Sequence, residues 1–481
     1  MSGLQRQSRF ERGDDVVVMK FGGTSVEDEA AIQRLIGIVD GRLGVQPVIV
    51  VSALAKVTDQ LLDAGNAAAK GHLGSALATV RNIYVRHEQL ADSVVDGSAY
   101  GSLDRALRCE FQALESLLHD LENSRELDFK AQDRLLGFGE CFSSRLVSEA
   151  LCQAGVNAAH VDARTCIVTD ARHGQANPLW DVTNQRIQET LTPLLEAEQI
   201  PVLGGFIAST VGGVPTTLGR GGSDFSAAIL GAALGASRVE IWTDVDGVMT
   251  TDPKLCPEAR VIPQMSFDEA ADLAHFGAKV LHPATLAPAM RDNIPVYVLN
   301  SRRPDGIGTE ITARARASHS VSAITAKRNV AAVEIESPQG IDAALLDAVF
   351  AAFQRYSCPV DVMATALGRM SLLVGSTAAL PKIAEDLRGL AHVGWENHRA
   401  LVCLVGENIR RQPEVAGRVF AAVSDMDVHM LCQGPSDRTI AFLVEESRVE
   451  ESVQRLHTLF FPKVETVCDW GGTSAAYCQA G

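Results

Sequence analysis

Among 481 residues the chain has ten cysteines but no C-x-x-C pair, so nothing suggests a zinc or dithiol site. Scattered thiols of this kind read as the buried, reduced cysteines of a cytosolic protein. No stretch approaches the ~18 consecutive apolar residues of a membrane span. The opening MSGLQRQSRFERG has no apolar h-region and reads as a loose tail, not a signal peptide. A basic cluster is also missing: the formal net charge is −16, and no lysine or arginine stripe offers a face to nucleic acid. The acidity would repel anionic substrates at long range, so a phosphate site must rely on a few local cations and backbone amides. Finally, G-x-x-x-x-G-K-[ST] occurs nowhere, which excludes a Walker A loop.

What is present is an ordinary globular balance, with 46% hydrophobic and 21% charged residues and enough length for two to four domains. Short apolar runs at 16–19, 47–51, 156–161, 200–206, 239–243 and 295–299 read as strands, and residues 58–150 read as mostly helical. Strands alternating with helices imply an α/β domain, with a mostly parallel sheet between helices, over 14–312. Ser25 with Asp28 fits a capping box for the first helix. The small, polar stretch 313–326 is expected to be a linker. After it the order strand–helix–strand–strand–helix occurs twice, over 327–396 and 397–470, and predicts two small α+β ferredoxin-like modules whose sheet edges are free to pair. Residues 471–481 are expected to be a frayed tail.

Five segments carry candidate chemistry. Lys20-Phe21-Gly22-Gly23-Thr24-Ser25 joins a strand to a helix, and fits a phosphate cradle about as well as a plain tight turn. Thr216-Thr217-Leu218-Gly219-Arg220-Gly221-Gly222-Ser223-Asp224 gathers glycines, a cation, a hydroxyl and a carboxylate at a helix start, or forms an elaborate turn. Trp242-Thr243-Asp244-Val245-Asp246-Gly247 follows a strand, where α/β proteins build ligand sites, and leads into Thr250-Thr251-Asp252-Pro253-Lys254. Phe276-Gly277-Ala278-Lys279-Val280-Leu281-His282-Pro283 adds a lysine, and His282 before proline reads as structural. Gly137-Phe138-Gly139-Glu140 offers a carboxylate in a glycine-rich setting.

The motifs KFGGTSV, GFGE, TTLGRGGSD, WTDVDGV, TTDPK and FGAKVLHP, in this order, resemble those of the aspartate kinases of the amino-acid kinase family. The paired C-terminal repeats resemble that family's tandem ACT modules, and no homoserine dehydrogenase-like extension follows, as in the monofunctional form. The resemblance implies ATP-dependent phosphorylation of the aspartate side-chain carboxylate, the first step toward lysine, threonine, methionine and diaminopimelate, in the cytoplasm. It implies catalytic roles for Lys20, Asp224 and Lys279. It assigns aspartate to Ser52, Thr58, Glu140, Phe206, Arg220 and Ser223, with Glu140 on the ammonium and Arg220 on a carboxylate. ATP falls to Lys20, Phe21, Gly22, Gly23, Thr243, Asp244, Met249, Thr250, Thr251, Asp252, Pro253, Lys254, Lys279 and Val280; Met249 stands where many relatives have tyrosine beside the adenine. Mg²⁺ is expected on the ATP phosphates and water, with no metal ligand among the side chains. The substrate carboxylate is already ionised at neutral pH, so no strong general base is needed and Asp224 is expected to orient groups or hold Lys20. Other kinases of the same fold, or an inactive amino-acid sensor, are the rival readings. The modules imply a homodimer or homotetramer responsive to lysine, threonine or both, with effector contacts at Gln339, Asp342, Asp361 and Thr365.

Overall fold

The computed structural model describes residues 15–278, 283–315, 320–366, 368–375, 377–432 and 436–462. In chain order the strands of the first part are β1 (Val16–Phe21), β2 (Gln46–Val51), β3 (Ala158–Val161), β4 (Val168–Thr169), β5 (Ile200–Gly204), β6 (Ile207–Thr210), β7 (Pro215–Thr217), β8 (Arg238–Thr243), β9 (Gln264–Ser266), β10 (Val296–Asn300) and β11 (Thr309–Thr312). Eight of them form one sheet in the order β3-β5-β2-β1-β8-β10-β11-β9, and β4, β6 and β7 form a small second sheet. Only the β10–β11 pairing in the large sheet is antiparallel.

Both faces of the large sheet are covered, which explains why its strands read as unbroken apolar runs. Val17, Met19 and Phe21 of β1 face the helices Val57–Ala69, Leu73–Val94, Gly97–Ser124 and Phe138–Gln153. Val18 faces the opposite layer, which includes the helices Trp180–Glu196 and Gly222–Leu234. The 58–150 segment is helical as expected. The first helix, Glu29–Asp40, is capped by Asp28, whose carboxylate accepts from the Ala31 amide at 2.8 Å. Ser25 is therefore not its cap. The Ser25 hydroxyl is spent on tertiary partners, Ser301 Oγ at 2.8 Å and the Trp242 carbonyl at 3.4 Å.

The C-terminal strands are β12 (Ala323–Glu336), β13 (Val360–Ala366), β14 (Arg369–Val374), β15 (His392–Val405), β16 (Met430–Cys432) and β17 (Thr439–Glu445). They form a single antiparallel sheet in the order β13-β14-β12-β15-β17-β16. The two repeats thus share one sheet. β12 and β15 pair along almost their whole length, broken only by register shifts between Lys327 and Ala332. The first half of β12 lies beside the second repeat's strands and its second half beside β14. This corrects the expected linker: 313–326 ends as strand, because Ala323 and Ile324 supply apolar edge residues that the second repeat buries.

Helices Ala343–Arg355 and Leu380–Leu387 cover one half of this sheet, and Pro413–Ala422 and Val449–Phe460 the other half. Its opposite face packs on the first domain: Phe267, Ala270 and Leu273 of the helix Phe267–His275 join one apolar cluster with Leu401, Cys403, Ala441 and Leu443. Arg438 adds ion pairs to Asp268 and Asp272 at 3.2 and 2.9 Å. Among the described residues no helix is long and apolar enough to cross a membrane.

Candidate active site

The carboxyl ends of β1, β2, β5 and β8 lie level, since Phe21 pairs with both Val51 and Trp242, and Val51 pairs with Gly204. The chain leaves each strand at this edge through Gly22-Gly23, Ser52-Ala55, Gly205-Phe206 and Asp244-Gly247. An open α/β sheet holds ligands at such an edge. Gly22 donates its amide to the Trp242 carbonyl at 3.0 Å, tying the β1 and β8 exits together. A Cβ on Gly23 would sit 2.8 Å from the Ala53 carbonyl, so only glycine lets the β1 and β2 exits approach this closely. A short 3-10 turn, Gly23–Ser25, follows, and the first long helix begins only at Glu29. The segment expected as a phosphate cradle or a plain tight turn thus runs from the sheet edge into a 3-10 turn, and not directly into the long helix.

Lys20 is 9% exposed, and its Nζ lies 2.5 Å from Asp224 Oδ1 in the first turn of the helix Gly222–Leu234. Residues 204 apart in sequence thus form an ion pair beside the β1 exit.

Glu140 sits in the first turn of the helix Phe138–Gln153 and is 3% exposed. A Cβ on Gly204 would lie 2.9 Å from the Glu140 Cβ, so this glycine makes room for it. Burial pushes the Glu140 carboxyl up to about 8, against the smaller opposing pull of the amides of Ala53 and Glu140 itself and of Lys20. Its Oε2 is buried and accepts no hydrogen bond. A buried acceptor without a donor is costly, and a cationic ligand group would satisfy it.

Phe206 has φ 65°, which a side chain of its kind rarely adopts. Two bonds hold it there: its amide donates to Ser226 Oγ at 2.9 Å, and its carbonyl accepts from the Leu218 amide at 2.9 Å. Strain pinned by its surroundings is a mark of functional segments. A Cβ on Gly205 would meet the Ser223 Cβ at 2.7 Å, so the β5 exit and the helix start at Ser223 are in close contact. Arg220 is exposed and stands between Gly219 (φ 76°) and Gly221 (φ 70°). Ser52 is half-buried and its amide donates to the Phe21 carbonyl at 3.0 Å; Thr58, half-buried, opens the helix Val57–Ala69.

The side chains of several expected nucleotide contacts are packed inside the protein. Phe21 is fully buried and stacked on Trp242, with ring centroids 6.2 Å apart, so its side chain belongs to the core. Thr250 and Thr251 are also buried. The Thr250 hydroxyl contacts His457 Nε2 at 2.9 Å and accepts from the Arg260 amide at 2.9 Å, while its carbonyl accepts from the Ile324 amide at 2.7 Å. Leu255 and Cys256, a few residues further on, lie in the core of the second repeat. Thr243 and Met249 remain half-buried, and Asp244, Asp252, Pro253 and Lys254 exposed. Lys279, Val280 and His282 lie outside the described residues. Among the described residues no three or more His, Cys, Asp or Glu are grouped to hold a metal.

Of the expected effector contacts, Asp342 caps the helix Ala343–Arg355 through the Leu345 amide at 2.8 Å, and Asp361 pairs with Lys327 at 2.6 Å. Gln339 and Thr365 are exposed. The Ser337 amide donates to the Gly368 carbonyl at 3.0 Å, so the turn carrying Gln339 lies against the β13–β14 connection. Sequence reasoning missed Ser226 and His457. Ser226 lies four residues after Gly222 on the inner helix face, a signal no different from that of any small buried residue.

The chain matches the amino acid kinase family over residues 15–300 and the ACT domain over 402–460. It is 34% identical to the lysine-sensitive aspartokinase 3 of Escherichia coli, covering 93% of this chain and 99% of that one. It is 33% identical to the chloroplastic aspartokinase 2 of Arabidopsis thaliana, over 92% of this chain and 84% of the relative. Among solved structures, E. coli aspartokinase III with aspartate and ADP (R-state) superposes with a TM-score of 0.81 at 32% identity, covering 92% and 99% of the two chains. The same enzyme with lysine and aspartate (T-state) gives 0.79 at 33% identity, covering 93% and 99%.

Proposed function

This chain belongs to the amino acid kinase family, among its aspartokinases, and on that premise we propose how its site divides the work. The reaction is ATP-dependent phosphorylation of the side-chain carboxylate of L-aspartate to 4-phospho-L-aspartate. Two anions must meet in line, so the protein's task is positioning and charge neutralisation. Lys20, oriented by Asp224, meets the transferring phosphoryl group beside Gly22 and Gly23. Glu140 takes the aspartate ammonium, Arg220 one of its carboxylates, and Ser52, Thr58, Phe206 and Ser223 complete that subsite. Lys279 and Val280, Thr243, Asp244, Met249 and the exposed part of 252–254 serve ATP. Mg²⁺ travels on the ATP phosphates with water, which suits a site where the carboxylate of Asp224 is already paired with Lys20.

The observation that carries this reading is the Lys20–Asp224 pair at a glycine-lined sheet edge, together with a buried carboxylate at Glu140 whose Oε2 lacks a donor. The test is ADP formation by the purified protein with aspartate and, separately, with glutamate. Strong aspartate dependence and weak turnover with glutamate are expected; equal rates would overturn the assignment of the aspartate subsite.

We extend the proposal to regulation. The shared sheet of the two ACT modules binds lysine, threonine or both, and its free β13 edge joins a second copy in a homodimer or homotetramer. Support comes from the exposed run Met363–Ala366 along β13, the outermost strand on that side of the sheet. Titration calorimetry with each amino acid decides it, and no heat of binding from either at millimolar concentration would remove the regulatory role.

A further inference from the structure

Asp133 belongs to none of the motifs discussed above, yet it is 2% exposed and the hydrogen bonds of its carboxylate all cross to other segments. It sits on the helix Phe129–Leu136. One oxygen accepts from Thr217 Oγ1 at 2.5 Å and the Gly174 amide at 3.0 Å; the other contacts His173 Nδ1 at 2.8 Å and the Gly174 amide at 3.1 Å. A buried carboxylate this well supplied with donors holds its neighbours firmly, since loss of any partner leaves a charge poorly solvated.

The segments it gathers lead to both ends of the aspartate subsite. On its own helix, the Gly137 amide donates to the Asp133 carbonyl at 3.1 Å. Gly137 ends that helix and opens the one carrying Glu140. Across the site, Thr217 is the last residue of β7, three residues before Arg220. Ala176 donates its amide to the Thr217 carbonyl at 2.9 Å, so β7 and the 173–176 loop are held together a second time. Gly219 packs on that loop closely enough that a Cβ would fall 3.1 Å from Gln175 Cγ and 3.3 Å from the Gly174 carbonyl.

We propose that Asp133 is a positioning residue that fixes the spacing between Glu140 and Arg220, and with it the fit of a four-carbon amino diacid. The proposal rests on the reading that Glu140 and Arg220 bind aspartate. Asparagine keeps the shape of Asp133 but loses its charge and turns one acceptor into a donor facing His173 and Gly174. Asp133→Asn should raise the aspartate KM about tenfold or more while the ATP KM stays within about twofold. Thr217→Val should act in the same direction and Thr217→Ser should restore near-normal kinetics, because only the hydroxyl is in question. If Asp133→Asn fails to fold, the Thr217 pair carries the test alone. A merely structural carboxylate would lower the melting temperature without separating the two KM values, and that result would overturn the proposal. Arg220→Ala is the control. If it leaves the aspartate KM unchanged, the reading of the subsite fails and the proposal falls with it; if it raises that KM while neither Asp133→Asn nor Thr217→Val does, only the positioning role is refuted.

Discussion

Raising the pH from 7 to 9 should tighten aspartate binding about tenfold, and Glu140 is the reason. Its carboxyl is 3% exposed, and loss of hydration pushes its pKa from the ordinary 4.5 up to about 8. At pH 7, one unit below that value, only about a tenth of the free enzyme carries the ionised form that an ammonium needs. Binding must therefore expel the proton, at a cost of about 1.4 kcal/mol, equivalent to tenfold in affinity. Titration calorimetry at pH 7, in two buffers of different ionisation enthalpy, should show nearly one proton released per aspartate bound. The dissociation constant should worsen about tenfold per pH unit below 8 and level off above it. The stability of the free protein moves with the same group. A carboxyl whose folded pKa lies above its unfolded value favours the fold when protonated, so this contribution is lost as pH rises from about 4.5 to about 8. The ligand-free protein should melt lower at pH 8.5 than at pH 6, and Glu140→Gln should flatten both profiles while binding aspartate weakly throughout. A dissociation constant that is flat from pH 6.5 to 8.5, with heats independent of buffer, would show Glu140 already ionised and remove this explanation.

Other perturbations have equally definite readouts. Lys20→Ala should reduce turnover by a factor on the order of 10³ or more while circular dichroism shows an intact fold; a folded variant with a tenth of normal turnover would refute the role of Lys20. Arg220→Lys should raise the aspartate KM and spare the ATP KM, because lysine lacks the two-pronged geometry of a guanidinium; an effect confined to ATP would contradict it. Thr250→Val leaves the Arg260 amide and His457 without their buried partner. A loss of about 1–3 kcal/mol in denaturant unfolding is expected, and an unchanged midpoint would show that the contact carries no weight.

The sequence by itself was enough to identify a doubly covered, mostly parallel sheet, since the apolar runs of β1, β2, β5, β8 and β10 report burial on both faces. It also drew attention to Lys20, Glu140 and Arg220, because the glycines beside them leave a local imprint. Two C-terminal repeats were legible from their recurring order of elements. Partners far apart along the chain were not, because no local pattern encodes them. Ser25 and Asp28 look like one capping box, yet only Asp28 caps; Ser25 turns to Trp242 and Ser301, residues that only the parallel sheet brings beside it. Thr250 looks like part of an exposed loop, but it is buried and bonded to His457 and the Arg260 amide, partners 207 and 10 residues away. The start of β12 looks like a linker because its residues are small, and it becomes a strand only when β15 offers it an edge. Asp133, one aspartate on a short helix, acquires its meaning from donors 40, 41 and 84 residues away. Local propensity and burial set the elements and their order. Which side chains meet was decided by tertiary packing, because hydrogen-bond and ion-pair partners are chosen by distance in space.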